Sequence, residues 1–315
     1  MTKPKILHIG LCVNPSGIVN DMQRAFVNNS SEYREISTGD PQVNSGACRI
    51  SNEFKPDIIF MQIQAERIIA PSTVELFKNN GAFVINWTGD VRDSVPNWMY
   101  SLPVDVTAFS NLRDVKEVQE RGLKSAYLEI GYDPNIYKPE GEAKNIEPIV
   151  FFGNSYGPSM FPMSEFRIKM CTHLKSIFAG RFGIYGTGWN ISSGNFNSSQ
   201  PEEASAYRGA KIAINCSHYE IEKYSSDRLF RILGTGKAIC LAKWYPRIEE
   251  DFEDGVHLRY WKTIDELKDL INYYLDPANE QERVSIALQG HILAKEKFTF
   301  NNMAENVIKI WEVMK

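Results

Sequence analysis

Residues that bind metals are scarce and scattered in this 315-residue chain. Its five cysteines stand at 12, 48, 171, 216 and 240, and its five histidines are His8, His173, His218, His257 and His291. No two cysteines lie two or three residues apart, as a zinc ribbon would have them. Odd in number and far apart, they read as reduced, partly buried thiols, and no metal site is expected. No run approaches the roughly eighteen apolar residues of a membrane span. The opening MTKPKILHIG passes straight into a strand pattern without the apolar core and cleavage site of a secretory signal. A cytoplasmic location is therefore expected. Charge of one sign is also lacking: 35 Lys and Arg against 39 Asp and Glu leave a net −4. That excludes general phosphate attraction as the basis of nucleic-acid packaging, while a local basic groove still fits within an acidic average. The close glycines of a dinucleotide fingerprint follow the first strand of neither half, which argues against a nicotinamide-dependent dehydrogenase.

What is present is a folded composition, 43% hydrophobic and 23% charged, in a chain long enough for two domains with their own cores. In the first half, short apolar runs alternate with turns and helical patterns. Strands are expected at 5–10, 56–61, 82–87, 104–109 and 126–128, with helices at 18–28, 73–78 and 114–121. Runs without strict apolar–polar alternation, separated by helices, describe a parallel sheet covered on both faces. Ligands of such sheets lie beyond the C-terminal strand ends. Three loops fall there: Gly10 to Gly17, Thr88 to Asp93 and Glu129 to Pro134. The first is either an acceptor or phosphate pocket at a helix start or an ordinary turn. In the second, Asp90 or Asp93 is placed to take a proton from an acceptor hydroxyl. Its alternative is a solvated loop whose acids cap the next turn, with Arg92 as their ion-pair partner.

Residues 135–148 are polar, carry Pro139 and Pro148, and read as a linker. A second series follows, with strands at 149–153, 181–186, 211–216, 237–241 and 255–258. Helices are expected at 163–178, 202–209, 228–233, 263–275, 280–295 and 302–315. Thr263 and Glu266 have capping-box spacing. Residues 190–200 are rich in Ser and Asn and read as a loop. Glycines at 153 and 157, 186 and 188, and 234 and 236 make narrow turns, which suit either backbone geometry or the approach of amides to a diphosphate.

Tyr207 to Asn215, Arg228 to Gly236, Asp254-Gly255, Tyr273-Tyr274-Leu275 and Phe298-Thr299-Phe300 together resemble the donor-binding half of the CgeB-like, spore-maturation group of GT-B glycosyltransferases. The resemblance covers about a third of the chain. It implies an α/β, GT-B-like fold: two Rossmann-like domains with parallel sheets facing across a cleft. Residues 1–140 would form the acceptor-side domain and 148–300 the nucleotide-sugar domain. The final helix, 301–315, would pack back on the first domain. The implied reaction transfers sugar from a nucleotide-sugar donor to an acceptor hydroxyl without a fixed metal or tightly bound cofactor. Helix amides and basic side chains would stabilise the departing diphosphate. The acceptor class stays open among a glycan, a protein, a small molecule and modified DNA.

The departures from that pattern are basic. Arg231 stands where related enzymes carry a glutamate, and Lys223 stands where retaining subgroups carry another. The closing His-Thr-Tyr-like motif has become Lys297-Phe298-Thr299-Phe300. A non-catalytic nucleotide-sugar binder on the same scaffold is thus the second reading, ahead of a two-lobed periplasmic-type binding protein. Arg228, at a helix start, is the leading candidate for diphosphate contact and catalysis. Its alternative is an ion pair with Asp227 or Glu222. Arg231 either touches the donor or neutralises local acids. Asn154, Ser155, Tyr156 and Gly186 open two strand-end loops where phosphate or sugar is expected. His218, Tyr219, Tyr224, Ser225 and Ser226 complete the donor-binding set, as pocket lining or as packed loop. Trp189 either stacks on a base or belongs to the core or a lid.

Overall fold

The computed structural model describes residues 3–11, 21–193 and 200–315. The Gly10 to Gly17 loop beyond Leu11, and part of the Ser- and Asn-rich 190–200 segment, lie outside the described residues. Contacts divide the chain into two compact units, Met1–Gly131 with Phe300–Lys315, and Tyr132–Thr299.

The first unit alternates β1 (Lys5–Gly10), α1 (Asp21–Asn29), β2 (Glu32–Ser37), α2 (Val43–Phe54), β3 (Ile58–Met61) and α3 (Pro71–Asn79). It continues with β4 (Phe83–Thr88), α4 (Asn97–Ser101), β5 (Val106–Phe109), α5 (Leu112–Glu120) and β6 (Ser125–Tyr127). The strands form one parallel sheet in the order β2-β1-β3-β4-β5-β6. Every residue of β3, β4 and β5 is buried, as a sheet covered on both faces requires. One face packs on α1 and on the final helix, Phe300–Met314, whose Met303, Ala304 and Val307 join Ile6, Phe26 and Phe60 in the core. The other face packs Leu7, Ile9, Ile59 and Val84 against Val43 and Ala47 of α2 and Val74 and Phe77 of α3.

The second unit contains β7 (Ile149–Phe152), α6 (Ser164–Phe178), β8 (Phe182–Tyr185), α7 (Gln200–Gly209) and β9 (Ile212–Asn215). There follow α8 (Arg228–Thr235), β10 (Ile239–Lys243), β11 (Arg259–Trp261), α9 (Ile264–Leu275) and α10 (Glu280–Lys297), and the final helix is α11. The parallel order is β11-β10-β9-β7-β8. In both sheets the first strand is flanked by the second on one side and the third on the other. The winding therefore reverses between β1 and β3, and between β7 and β9. Such switch points open a crevice at the C-terminal strand ends.

Three features differ from the sequence pattern. β2, α2 and the short α4 are additional elements: β2 is an edge strand with the charged sequence EYREIS, only partly buried along its length. The strand expected at 255–258 lies at 259–261, because Gly255 adopts a left-handed φ of 77° and turns the chain back on itself. Asp254 and Leu258 form only an isolated bridge across that turn. The polar 135–148 stretch belongs to the second unit: Tyr137 is buried with its hydroxyl 2.8 Å from Glu203 Oε2, and the Lys144 amide donates to the Ser205 carbonyl at 3.0 Å. The Thr263 cap forms, its hydroxyl accepting from the Glu266 amide at 3.1 Å, but the Glu266 carboxylate accepts from Lys262 N–H at 2.7 Å, one residue outside the capping-box position.

Candidate functional site: an arginine pair at the second switch point

Beyond the C-terminal end of β7 the chain passes through Gly153, with φ 151°. A Cβ built there would lie 2.9 Å from Nη2 of both Arg167 and Arg228. Glycine is thus needed for two guanidinium groups to occupy the same strand end. Both also lie over the Phe151 ring, their central carbons 5.3 and 5.5 Å from its centroid. Arg228 comes from the first turn of α8 and Arg167 from the first turn of α6. They meet at the β7/β9 switch point.

Like charges converge here without acidic compensation. Among the described residues neither guanidinium has a carboxylate within ion-pair distance. Arg228 Nη1 reaches only the Ser226 hydroxyl, at 3.2 Å. Arg167 is 1% exposed, and its Nε and Nη2 have no hydrogen-bond partner. Burial, with the adjacent Arg228 charge, pushes its pKa down to about 10. The remaining nitrogen, Nη1, meets the His218 ring, 2.6 Å from Nδ1 and also in contact with Nε2. Burial first, then the charges of Arg167 and Arg228, depress His218 to about 3, so its imidazole is neutral at physiological pH. A buried cation with unmet donors is costly, and an anion is the partner that would satisfy both guanidinium groups at once.

The surrounding residues hold this arrangement. Tyr156 and Phe161 pack on the His218 ring at 5.0 and 4.7 Å. Tyr219 is buried against Phe161 and Tyr224. Asn215, at the end of β9, donates to the Ser225 hydroxyl at 3.1 Å and accepts from the Ser226 hydroxyl at 3.0 Å. The two serines thereby tie the loop before α8 to the sheet, and Ser226 steadies Arg228. The Ser155 amide donates to the Thr187 carbonyl at 2.8 Å, and the Thr187 amide to Asn154 Oδ1 at 3.0 Å. Gly186 fits this closure of the β7 and β8 loops, because a Cβ there would lie 2.3 Å from the Gly153 carbonyl oxygen. Trp189 donates its indole N–H to the same carbonyl at 2.6 Å and packs edge-on against Phe151. A pocket of ≈ 420 Å³ opens beside these loops, lined by Tyr156, Ile168, Thr172, Gly188 and Trp189 among others.

Arg231 is placed differently from Arg228. Its guanidinium is bound to Glu203 at 3.1 Å and to Asp227 at 2.5 Å. Burial opposes its charge, but those two carboxylates outweigh burial and hold its pKa above the ordinary arginine value. Asp227 is therefore engaged by Arg231. Lys223, with a left-handed φ of 54°, reaches Asp251 at 2.7 Å and Glu250 at 3.5 Å. Lys223 and Arg231 are thus both tied into ion pairs.

Asp90 and Asp93 lie in the other unit, exposed in the loop after β4. Thr88 steadies that loop by donating toward the Asp90 carbonyl at 3.3 Å, and Arg92 by donating to the Gln64 carbonyl at 2.6 Å. Arg167 was not among the residues singled out from sequence. Its signal is periodic: it occupies the apolar stripe of α6, in step with Met170, Cys171, Leu174 and Phe178, all buried. A charge at a core position of an amphipathic helix marks a group whose burial needs a reason. Among the described residues, no group of three or more His, Cys, Asp or Glu is arranged to hold a metal ion, and no helix is long and apolar enough to cross a membrane.

Residues 167–309 match a family model described as glycosyl transferase-like. No curated protein matches the chain. Among solved structures, a glycosyltransferase from Rickettsia africae is similar at a TM-score of 0.64 and 12% identity, over 100% of this chain and 99% of that one. Sucrose-phosphate synthase from Thermosynechococcus elongatus matches at 0.65 and 9%, over 98% of each chain. HepE from Anabaena, in complex with UDP-glucose, matches at 0.58 and 10%, over 98% of this chain and 100% of that one. The chain therefore has a GT-B-like α/β fold with two Rossmann-like parallel-sheet units.

Proposed function

We propose that this protein is a glycosyltransferase that binds a nucleotide-sugar donor through its diphosphate at the Arg167–Arg228 pair. The observation that carries this reading is the pair itself: two guanidinium groups at a switch point, one fully buried, with no carboxylate partner among the described residues. Charge-assisted bonds to the phosphates would stabilise the donor and, more strongly, the diphosphate that accumulates charge as the glycosidic bond breaks. The family match over 167–309 and the donor complex of HepE support the same assignment. Within this proposal the CgeB-like group remains the nearest in pattern. The first unit takes the acceptor, with Asp90 or Asp93 receiving the hydroxyl proton, and the protein works in the cytoplasm.

The test is a calorimetric screen of UDP-, GDP- and ADP-sugars with release of free nucleotide followed in parallel. One donor should bind saturably, and Arg228→Ala should weaken it about ten- to a hundredfold, as befits one or two lost charge-assisted bonds. Absence of binding by any donor to folded protein overturns the proposal. A second reading, a nucleotide-sugar binder without turnover, is favoured by the ion-paired state of Lys223 and Arg231. Tight binding without transfer to any acceptor class would select it.

A further inference from the structure

Arg167 donates to a ring nitrogen of His218, so that nitrogen must present its lone pair and the imidazole must be neutral while the contact lasts. The same guanidinium carries the buried nitrogens that lack partners. An anion beside Gly153 would compete with His218 for Arg167 and would cancel the positive charge that surrounds the ring. The groups facing His218 are few. Arg167 reaches it from α6, and Arg228 acts on it from α8. Tyr156 and Phe161 pack on it from the segment after β7. Glu220, two residues on, is held by Lys243 at 2.5 Å. The ring is only partly buried, so water can deliver a proton.

We infer that His218 is a proton-coupled ligand of the donor diphosphate. When a phosphate oxygen takes the Arg167 donor, the freed ring nitrogen accepts one proton from solvent and the resulting imidazolium donates a hydrogen bond to the phosphate. The step forms one N–H bond at the expense of a solvent or buffer acid and breaks no bond of the donor. The inference rests on the donor reading above. Its sign follows from linkage: the complex binds more protons than the free protein, so affinity rises as pH falls through the bound-state pKa of His218.

The experiment titrates UDP-glucose, GDP-mannose and ADP-glucose in turn, and continues with the one bound most tightly. These diphosphate diesters do not themselves change charge across the neutral range. Calorimetry at pH 6 in two buffers of different ionisation enthalpy then counts protons. Wild type should take up roughly half to one proton per site; its affinity should fall by up to about tenfold per pH unit as pH rises between the free-state and bound-state pKa of His218, and level off above the latter. His218→Gln should bind with no uptake and a flat pH profile. An NMR titration of the His218 ring should show its pKa rising on donor binding, a readout independent of any variant. Binding without proton uptake, or uptake that survives in His218→Gln, overturns this inference and leaves the donor reading standing. No binding of any of the three overturns both.

Discussion

The two sheets wind alike, yet their switch points treat polar groups in opposite ways. Between β1 and β3 the fully buried His8 is enclosed by partners: Nε2 lies 2.8 Å from Gln62 Oε1 and Nδ1 lies 2.9 Å from the Tyr33 hydroxyl, which donates to Glu35 at 2.7 Å. A Cβ on Gly10 would lie 2.2 Å from Gln62 Oε1 and 2.6 Å from His8 Nε2, so the strand backbone lies directly against this chain of bonds. Between β7 and β9, Arg167 and Arg228 lie together, and two buried donors of Arg167 are unmet. Topology sets where a crevice falls, and side-chain chemistry decides whether it is closed by the protein or left for a ligand. Arg231, one turn along α8 from Arg228, sharpens the contrast because it is closed by Glu203 and Asp227. A closed polar group should contribute stability, and an open one should cost stability while supplying affinity.

The largest effect should come from opening a closed site. Arg231→Met would leave Glu203, 5% exposed, buried without its cation. Breaking a buried pair in this way costs about 3 to 5 kcal/mol; with Arg231 a quarter exposed, about 2 to 4 kcal/mol is expected. Adding Glu203→Gln should recover much of the loss in urea unfolding. Donor affinity of the folded variant should change far less than in Arg228→Ala. A strong loss of affinity with intact stability would show that Arg231 touches the donor, and the contrast with Arg228 would collapse.

His8 tests the closed site in the first unit. Burial lowers its pKa to about 4, against smaller opposing effects of its Gln62 bond and the Glu35 charge. The unfolded chain therefore binds the extra proton between about pH 6.5 and 4, and stability rises with pH through that window. From pH 7 to pH 5 this group should remove about 2 kcal/mol of stability. Chemical unfolding of wild type and His8→Gln at the two pH values isolates this contribution, since the other histidines are common to both. Equal pH dependence in the two proteins would mean that His8 is not held neutral.

Arg167→Met should do the reverse. Removing a buried guanidinium with two unpartnered nitrogens should raise stability by about 1 to 3 kcal/mol, provided methionine fills the space. Donor binding should be lost in the same variant. A protein that becomes more stable as it loses its ligand is the signature of a site kept open for function. Lower stability would show that Arg167 is satisfied by the protein itself.

The same distinction explains what could be read from the sequence. β3, β4, β5, β7 and β9 are mostly apolar and buried at every residue, because both faces of each are covered. β2 is not, since an edge strand with Glu32, Arg34 and Glu35 carries no core signal. Arg228 was legible from its place at a helix start after a polar loop. Its freedom from Asp227 was not, because that depends on Arg231 taking the carboxylate, with Glu203 brought in from a separate helix. Arg167 was hidden for the opposite reason: among the three cations of a fifteen-residue helix, with Lys169 and Lys175, it looks solvated until the apolar stripe is counted through it. The glycine turns gave their positions but not their purpose, which depends on which backbone lies opposite.

That last point yields the smallest predicted effect. Gly186 and Gly157 read alike in sequence. Gly186, with φ 141°, lies against the Gly153 carbonyl, whereas a Cβ on Gly157 meets nothing within 4 Å. Gly186→Ala should be clearly destabilising, since it strains the backbone and parts the two loops. Gly157→Ala should change stability by less than about 0.5 kcal/mol. Because Gly157 also lines the pocket beside Trp189, the substitution separates fold from ligand approach. Unfolding measurements should not distinguish it from wild type, so any change in donor affinity must come from crowding of the bound molecule. A cost of stability comparable to that of Gly186→Ala would mean that the Gly157 turn, too, is closed by the protein.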